Sequence, residues 1–331
     1  MLNKRLARLK GLTRGKPQRI AAIAMDGQTG FIKAMVGFDL SDPQVNPCLV
    51  SDYPAASIIK IVTAAAAVDA LDYTANTPLS FNGGKYTLYK RQLIDKNNKY
   101  TTKVTLATAF AESINPVFGK IGKLYLGRER LNLYASRFGF NTEADTDFYF
   151  QGGRFTVTDN AYHLAELGCG FNRKTQISPM FATLLTSVVV NEGQSLIPRM
   201  VDHITKPDGQ IVYKSKKDVY KIPIRPNSAK TMITLMKRTI SNGTARKVFR
   251  GYSRDKVLSK LIIGGKTGSL FNRQRTVKYD WFTGFGMAKD TGNALIVAVV
   301  VGHRKYIGTK AAAHARAMLK TYFKPASNHP T

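Results

Sequence analysis

Apolar runs near the start of the chain predict a pair of β-strands. They lie at residues 19–25 and 31–36 and are rich in alanine, isoleucine, methionine and valine. Between them stands Asp26-Gly-Gln-Thr-Gly30, whose polar and glycine residues are typical of a hairpin turn. The pattern therefore predicts an antiparallel hairpin after a short polar segment.

The C-terminal part repeats this pattern. Apolar runs at 281–287 and 294–301 flank the turn-like segment Lys289-Asp-Thr-Gly-Asn293. From Lys310 to Phe323 the apolar positions have helical spacing. Since both ends of the chain contain predicted strands, we expect these strands to share one antiparallel sheet.

The middle of the chain, about residues 54–249, is predicted to be mainly helical. Its helix-like runs include 106–112 and 180–190. The predicted fold class is therefore α/β in the α+β sense, with an antiparallel sheet built from both chain ends, covered by helices and interrupted by a large helical insertion. A cleft is expected where the insertion meets the sheet, and such junctions commonly bind ligands.

These patterns divide the chain into a domain and two short ends. A basic tail or linker is expected at 1–17 and a C-terminal tail at 326–331. One domain is expected at 18–325 between them. Within this domain the sheet part takes about 18–53 and 250–325, and the helical insertion takes the remainder.

Two smaller features also bear on the fold. The lysine- and tyrosine-rich segment 83–103 is polar and poorly periodic, and it is predicted as a surface hairpin. Cys48 and Cys169 are the only cysteines, which excludes a disulfide scaffold and leaves open whether the two pair. For Cys169 the favoured interpretation is a buried structural thiol.

The chain is strongly basic. It has 50 Lys and Arg against 21 Asp and Glu, a formal charge of +29, so an anionic partner is expected. Nucleic acid is not expected, because helix-turn-helix, zinc-finger and RNP-type signatures are missing and the basic residues are scattered. Anionic membrane and cell-wall surfaces fit the charge equally well.

The N-terminal sequence is predicted to be neither a signal peptide nor a membrane span. Residues 1–10 carry charge without a following apolar core. The longest apolar runs, 58–68 and 294–301, are shorter than the roughly 20 residues that a spanning helix needs. If the protein works outside the cytoplasm, its export signal or anchor is expected to have been removed or to lie on a longer precursor.

An apolar segment from Pro54 to Val68 carries Ser57 and, three residues later, Lys60. Side chains three apart on a helix share a face, so this pair can touch. By itself the pair is better explained as a helix cap and a lysine that reaches water. The surrounding isoleucines and valines favour catalysis, because burial lowers a lysine's pKa and a neutral lysine can be the general base for a serine.

Two further motifs are weak when taken singly. Ser113 and Asn115 follow a helical run, where Ser-x-Asn is often only a turn; the chemical alternative is a proton relay and a peptide-binding amide. Lys266-Thr-Gly-Ser269 follows a strand-like run but lacks the glycine spacing of a phosphate-binding P-loop. Its glycine allows a ligand to approach closely, and its lysine and hydroxyls can bind a carboxylate.

The order of the three motifs is far more specific than any one of them. Ser-x-x-Lys, Ser-x-Asn and Lys-Thr-Gly begin 56 and then 153 residues apart, at Ser57, Ser113 and Lys266. This ordered set resembles the penicillin-binding proteins and serine β-lactamases, and its spacing resembles the transpeptidase domain of the former. The resemblance extends from about Gln18 to Phe323 and includes "DWFTGF" after the third motif.

The resemblance implies a β-lactamase/transpeptidase-like fold and a serine acyl transfer that needs no metal or organic cofactor. The implied substrate is a peptidoglycan stem peptide ending in D-Ala-D-Ala. Ser57 would be the nucleophile and Lys60 its base, although the acylation base is argued over in this superfamily. Ser113 would pass a proton to the departing D-Ala nitrogen, and Lys266 would set the local positive potential.

The resemblance also implies how the substrate binds. Asn115 would hold the stem-peptide amide, and Thr267 with Ser269 would hold the terminal carboxylate, on either side of Gly268. Backbone N–H groups of Ser57 and Ser269 would form the oxyanion hole. β-Lactam antibiotics are expected to acylate the same serine as substrate mimics.

The sequence leaves several activities open. A D,D-carboxypeptidase, in which water replaces the acceptor amine, fits the same motifs as a D,D-transpeptidase. A β-lactam-binding sensor or an inactive cell-wall scaffold belongs to another class, but no signalling segment is visible and the motif side chains are intact. Class A β-lactamases activate water with a Glu-x-x-Leu-Asn element. The nearest segment here, Glu129-Arg-Leu-Asn132, is one residue shorter, and Glu166 is followed by Leu-Gly-Cys, so hydrolytic β-lactamase activity is disfavoured.

The surroundings of the site are predicted less sharply. No glycosyltransferase module is visible, so a separate glycosyltransferase is a candidate partner. The expected location is periplasmic or otherwise extracytoplasmic, at the membrane surface.

Arg273, Arg275 and Lys278 follow the third motif. They either flank the cleft and face peptide carboxylates or belong to a solvated loop, and the sequence favours neither.

Overall fold

Strands from the two ends of the chain form one antiparallel sheet of five strands. β1 (Arg19–Asp26) pairs with β2 (Ile32–Asp39) on one side and with β13 (Ala294–His303) on the other. β12 (Lys278–Ala288) then joins β13 to the edge strand β11 (Leu261–Phe271). The strand order is β11-β12-β13-β1-β2. The predicted sheet, with both of its hairpins, is therefore confirmed.

The computed structural model describes residues 2–325, so the expected tail at 326–331 lies outside the described residues. The α-helices of this part are α1 (Leu2–Lys10), α2 (Lys60–Ala70), α3 (Leu106–Ala111), α4 (Asn115–Lys120), α5 (Gly127–Arg137), α6 (Ala161–Cys169), α7 (Pro179–Val190), α8 (Pro226–Ser241) and α9 (Ala311–Tyr322). Short paired strands accompany them: β3 (Tyr53–Pro54), β4 (Pro78–Phe81), β5 (Thr102–Thr105), β6 (Gln176–Ile177), β7 (Ser195–Leu196), β8 (His203–Thr205), β9 (Ile211–Lys214) and β10 (Val219–Lys221).

The sequence of β13 explains why the sheet is covered on both faces. All of its residues are buried, and successive side chains point to opposite faces. Ile296 and Val300 pack in an inner core with Trp281, whereas Leu295 and Val297 pack in an outer core to which α9 contributes. The sheet is thus the middle layer between helices, which agrees with the predicted fold class.

The helical insertion lies between β2 and β11, in agreement with the predicted fold class. Two strongly apolar helices, α2 and α7, lie in the inner core, and α7 packs directly against the sheet. Ser178 caps α7 by accepting a hydrogen bond from the Phe181 N–H at 3.1 Å. The 3₁₀ turn before α2 contacts β11, so the start of this buried helix meets the edge of the sheet.

The prediction of a surface hairpin at 83–103 was wrong. β4 ends before the segment, only Thr102 and Lys103 at its end belong to the pairing strand β5, and its middle contains a 3₁₀ turn at Lys90–Leu93. The buried Gln92 side chain accepts from the Tyr89 N–H and donates to the Asn82 carbonyl. This network of local polar contacts takes the place of strand pairing.

Two other segments differ from the expectation. The first part of the expected basic tail forms α1, in which Leu9 is buried and Leu2 and Leu6 pack against the outer core. Within the insertion, β8 and β9 form a hairpin with both faces exposed, where helices predominate elsewhere. Among residues 2–325, none of the helices combines the length and apolar character needed to cross a bilayer.

Candidate active site

A cleft of about 600 Å³ opens where the helical insertion meets β11. All three sequence motifs reach it. Its lining includes Ser57, Ser113, Asn115, Thr267, Gly268 and Ser269. Lys60 and Lys266 lie beneath this lining, fully buried, and each donates a hydrogen bond to one of its serines. The fold therefore brings together all eight residues that the motifs indicated.

Ser57 reaches the cleft from an otherwise buried segment. It lies in the 3₁₀ turn Ala56–Ile59 directly before α2, and it is partly exposed while Ile58 and Ile59 are buried. Ala56 has a φ of 48°, a left-handed value that few non-glycine residues adopt. The two isoleucines hold the turn in the core, which leaves the serine hydroxyl at the cleft surface.

Lys60 is the first residue of α2 and is held from three directions. Its Nζ lies 2.8 Å from the Ser57 Oγ, 2.8 Å from the Asn115 Oδ1 and 2.7 Å from the Cys169 carbonyl oxygen. An amine has four tetrahedral positions, one taken by the carbon chain, so these contacts fill the other three. The geometry fixes the lysine nitrogen beside the hydroxyl that it would deprotonate.

The surroundings of Lys60 favour its neutral form. Burial lowers the pKa of Lys60 from its ordinary value to about 8. No carboxylate of the described chain forms an ion pair with it to oppose this effect, and its acceptors are two uncharged oxygens and a hydroxyl. A lysine with a pKa this close to neutrality can act as a general base under physiological conditions.

Ser113 and Lys266 form a second serine–lysine pair at the cleft. Ser113 lies between α3 and α4 with a φ of 59°, and Lys266 lies on β11. The Lys266 Nζ donates to the Ser113 Oγ at 2.9 Å and to the Thr267 carbonyl at 2.8 Å. Burial, and then repulsion from Lys60, hold the pKa of Lys266 well below its usual range.

Asn115 has a different immediate role from the one implied by resemblance. Its Oδ1 accepts from Lys60, and its Nδ2 donates to the Tyr86 carbonyl at 3.0 Å. Only 7% of the residue is exposed. Asn115 therefore orients the lysine, and one amide hydrogen is left to donate to a peptide carbonyl in the cleft.

The third motif forms the opposite wall of the cleft. A Cβ added to Gly268 would lie 3.3 Å from the backbone nitrogens of Ser57 and Ile58, so glycine lets β11 pass close to the serine turn. Thr267 and Ser269 both line the cleft on either side of this glycine. The Thr267 hydroxyl is hydrogen-bonded to the Thr244 hydroxyl, which fixes one of the two candidate carboxylate ligands.

Cys169 contributes its backbone to the site. Its carbonyl is the third acceptor of Lys60, while burial raises the pKa of its thiol to about 11. The thiol is free, as is that of Cys48. Gly170 follows with a φ of 76°, and an added Cβ there would lie 1.9 Å from the Ala56 carbonyl oxygen. This glycine is needed to bring the end of α6 against the serine turn.

Several cleft residues had not been singled out from the sequence. Tyr86, Phe171 and Thr244 line the cleft, the first from the segment wrongly predicted as a hairpin. Thr244 alone has a local signal, since it follows a glycine directly after a long helix. The two aromatic residues have none, because only tertiary packing brings their loops to the cleft.

The three basic residues after the third motif were expected either to flank the cleft or to lie in a solvated loop, and they differ in this respect. Arg273 and Arg275 are exposed and do not line the cleft, so for them the solvated loop is correct. Lys278 does line the cleft. The two glutamates compared with the class A element also lie away from it, with Glu129 on α5 and Glu166 within reach of His163.

Comparison with known proteins identifies the fold. The family model described as the penicillin binding protein transpeptidase domain matches residues 20–320. The chain belongs to this family. The match covers both sheet segments and the whole helical insertion, and thus every residue of the cleft described above.

Individual members of this transpeptidase-domain family are distant in sequence. Two curated relatives from Mycolicibacterium smegmatis are each 23% identical to this chain over 86% of its length. They are penicillin-binding protein PbpB and peptidoglycan D,D-transpeptidase PbpA. The match covers 46% of PbpB and 62% of PbpA. The chain thus spans about half the length of these relatives. A ceftriaxone acyl-enzyme complex of penicillin-binding protein A from M. tuberculosis superposes with a TM-score of 0.72 at 20% identity, over 94% of this chain and 76% of that chain.

Proposed function

We propose that this protein is a peptidoglycan D,D-transpeptidase that cross-links stem peptides through an acyl-enzyme on Ser57. The observation that carries the proposal is the 2.8 Å contact between the Lys60 Nζ and the Ser57 Oγ, in a cleft lined by the two other motifs. The transpeptidase-domain family and the relative named as a D,D-transpeptidase support it. We assign the catalytic domain to residues 18–325 and the site of action to the outer side of the cytoplasmic membrane.

In the acylation half-reaction, Ser57 attacks the carbonyl of the penultimate D-Ala while Lys60 accepts the hydroxyl proton. The carbonyl oxygen becomes negative and is stabilised by the N–H groups of Ser57 and Ser269, an interaction of about 3 kcal/mol per donor in acyl-transfer enzymes. Ser113, whose hydroxyl is held by Lys266, relays a proton to the departing nitrogen and regains one from Lys60, which thereby returns to its neutral form. The terminal carboxylate lies against Thr267 and Ser269.

In the second half-reaction an amine of another stem peptide attacks the ester. The new amide bond forms as the bond to the Ser57 Oγ breaks, and the amine proton returns to that oxygen. Water would compete with the amine if a carboxylate activated it. In the described chain the one carboxylate that lines the cleft is Asp280, which is held by the Ala311 N–H at 2.7 Å. This arrangement favours a long-lived acyl-enzyme and therefore transfer to an amine.

Intact-mass spectrometry with a labelled penicillin tests the acyl-enzyme. The proposal predicts one stable adduct that maps to Ser57 and is missing in Ser57→Ala. No adduct at all would overturn the mechanism, and an adduct that disappears within minutes would indicate a β-lactamase.

A second experiment separates the transpeptidase from the D,D-carboxypeptidase. The protein is incubated with a stem pentapeptide ending in D-Ala-D-Ala, with and without an acceptor amine. A cross-linked product is expected with the acceptor. Release of D-Ala without any cross-linked product would favour the carboxypeptidase, and capture of penicillin without turnover of either peptide would favour a sensor.

A further inference from the structure

One end of the cleft carries two ammonium groups that the mechanism above does not use. Lys278 and Lys310 both line the cleft, together with Ser269 and Phe271 of the edge strand. Neither lysine takes part in an ion pair or donates a side-chain hydrogen bond to residues 2–325. Unpaired cations in the wall of a cleft are candidates for binding an anionic group of the ligand.

Strand register places Lys278 beside the candidate carboxylate ligands. Directly opposite residues of an antiparallel pair share a face, and here Ser269 pairs with Asp280 while Phe271 pairs with Lys278. Thr267, two residues before Ser269, points the same way. The Lys278 Nζ lies 5.6 Å from the centroid of the Phe271 ring, which positions the ammonium at the outer end of this face.

Lys310 reaches the same place from the start of α9. It directly precedes Ala311, whose N–H donates to the Asp280 Oδ2 at 2.7 Å, so this bond fixes the beginning of the helix to β12. Asp280 lies near both lysines but neutralises only one positive charge. Lys278, Asp280 and Lys310 therefore bring one net positive charge to the cleft that Ser269 also lines.

We propose that Lys278 and Lys310 select an acceptor whose attacking amine has a neighbouring carboxylate. The inference rests on the proposed function. The group that leaves in the first half-reaction is D-alanine, an amine with a carboxylate on the adjacent carbon, and the acceptor must attack from the side that D-alanine vacates. An amino-acid-like acceptor, such as the free end of a diaminodicarboxylic residue in a stem peptide, places its carboxylate at Ser269 and the two lysines.

The reaction at this site is an ordinary aminolysis. The acceptor nitrogen forms an amide bond to the acyl carbon, the ester bond to the Ser57 Oγ breaks, and one amine proton returns to that oxygen. The lysines do not exchange protons or electrons in this step. They hold the carboxylate and so direct the amine toward the ester.

D-alanine and D-alaninamide provide a matched pair of probes, since they differ only in whether the acceptor has a carboxylate. The acyl-enzyme is formed from one stem pentapeptide, and each acceptor is added at the same concentration of unprotonated amine. Both acceptors carry a deuterium label, because transfer to unlabelled D-alanine would only regenerate the starting pentapeptide. The ratio of labelled aminolysis product to hydrolysis product is read by mass spectrometry, and since the acyl-enzyme is common to both reactions, this ratio reports how well each acceptor competes with water.

The wild-type protein is expected to prefer D-alanine by about fivefold, the size that two half-exposed charge pairs give. Replacing both lysines by methionine (Lys278→Met with Lys310→Met) should reduce this preference to less than about twofold and leave hydrolysis unchanged. The single variant Lys310→Arg keeps both positive charges, so it should retain the preference for D-alanine. Lys305→Met, at an exposed lysine outside the cleft, is the control.

Three results would count against the proposal. An equal partition between the two acceptors in wild type, or a preference that survives the double substitution, would overturn the acceptor selection alone. Failure of the wild-type protein to form any acyl-enzyme would overturn the proposed function as well, and it is recognised separately because no hydrolysis product then forms.

Discussion

Two fully buried lysines lie beneath the lining of the cleft, and their surroundings differ. Lys60 contacts Ser57, Asn115 and the Cys169 carbonyl, whereas Lys266 contacts Ser113 and the Thr267 carbonyl. Neither has a carboxylate partner in the described chain. The same residue type therefore has two different sets of contacts, and the hydroxyl that each lysine contacts distinguishes them.

The two lysines also differ in what lowers their pKa values. Burial lowers the pKa of Lys60 to about 8, while burial and repulsion from Lys60 hold the pKa of Lys266 well below its usual range. A ligand carboxylate at Thr267 and Ser269 would stabilise the ammonium form of Lys266, because a nearby negative charge favours the charged lysine.

The largest effect is expected from Lys60→Met. Without its base, acylation of Ser57 by penicillin should slow by about a thousandfold, within the range that general-base catalysis contributes. The decrease should appear in the acylation rate at saturating penicillin, which is measured from the increase of the adduct with time by mass spectrometry. Lys120→Met is the matched control, since Lys120 is also a buried lysine but pairs with Asp95 outside the cleft. Slowing by less than tenfold in Lys60→Met would contradict its role as the base.

Lys266→Met should have a smaller effect of another kind. Loss of its positive charge weakens attraction for the ligand carboxylate, and we expect the second-order acylation constant to fall by about a hundredfold. The loss should appear mainly as a higher penicillin concentration for half-maximal rate. A reduced maximal rate with unchanged half-saturation would instead assign Lys266 to the proton transfers.

Asn115→Asp tests the electrostatics of Lys60 directly. The new carboxylate would lie at the position of the Asn115 Oδ1, 2.8 Å from the Lys60 Nζ, and would raise the pKa of the lysine. Acylation at pH 7.5 should fall by about tenfold and recover as the pH is raised, since one pKa unit changes the neutral fraction about tenfold. Asn115→Ala adds no charge, so its pH dependence should stay near that of wild type. A loss in Asn115→Asp that is the same at every pH would contradict this explanation.

Gly170→Ala tests the close packing of the end of α6 against the turn that carries Ser57, and its expected effect is on stability. The added Cβ would meet the Ala56 carbonyl oxygen, so the substitution should lower the free energy of unfolding by about 3 kcal/mol. Gly251→Ala is the matched control, because Gly251 has the same φ of 76° with open space around its Cβ position, and it should cost about 1 kcal/mol. Denaturant unfolding measures both variants, and equal losses would contradict the argument from close contact.

The sequence predicted those parts of the molecule that depend on local pattern. The apolar runs of β1 and β13 predicted strands of the sheet, and the three-residue spacing of Ser57 and Lys60 predicted that their side chains touch. Ser113 and Lys266 became interpretable only through the order of the three motifs. The contact of the Cys169 carbonyl with Lys60 could not be predicted, because a backbone carbonyl looks the same in every sequence and its partner lies far away along the chain.

The two errors in the fold have a similar cause. The segment at 83–103 is polar and rich in lysine and tyrosine, yet much of it is a loop in which the buried Gln92 side chain bonds to the backbone of Tyr89 and Asn82. Part of the basic N-terminus was expected to be a tail, but Leu2, Leu6 and Leu9 find an apolar surface on the outer core. In both cases packing against the rest of the molecule outweighs composition.

The pH dependence of acylation tests most directly whether neutral Lys60 is the base. The second-order constant for penicillin acylation of the wild-type protein is measured between pH 6 and 9 by the appearance of the Ser57 adduct. Since only the neutral lysine accepts the proton, the constant should rise about tenfold per pH unit and level off near pH 8, the pKa of about 8 that burial gives Lys60. A constant that is the same throughout this range would contradict the account.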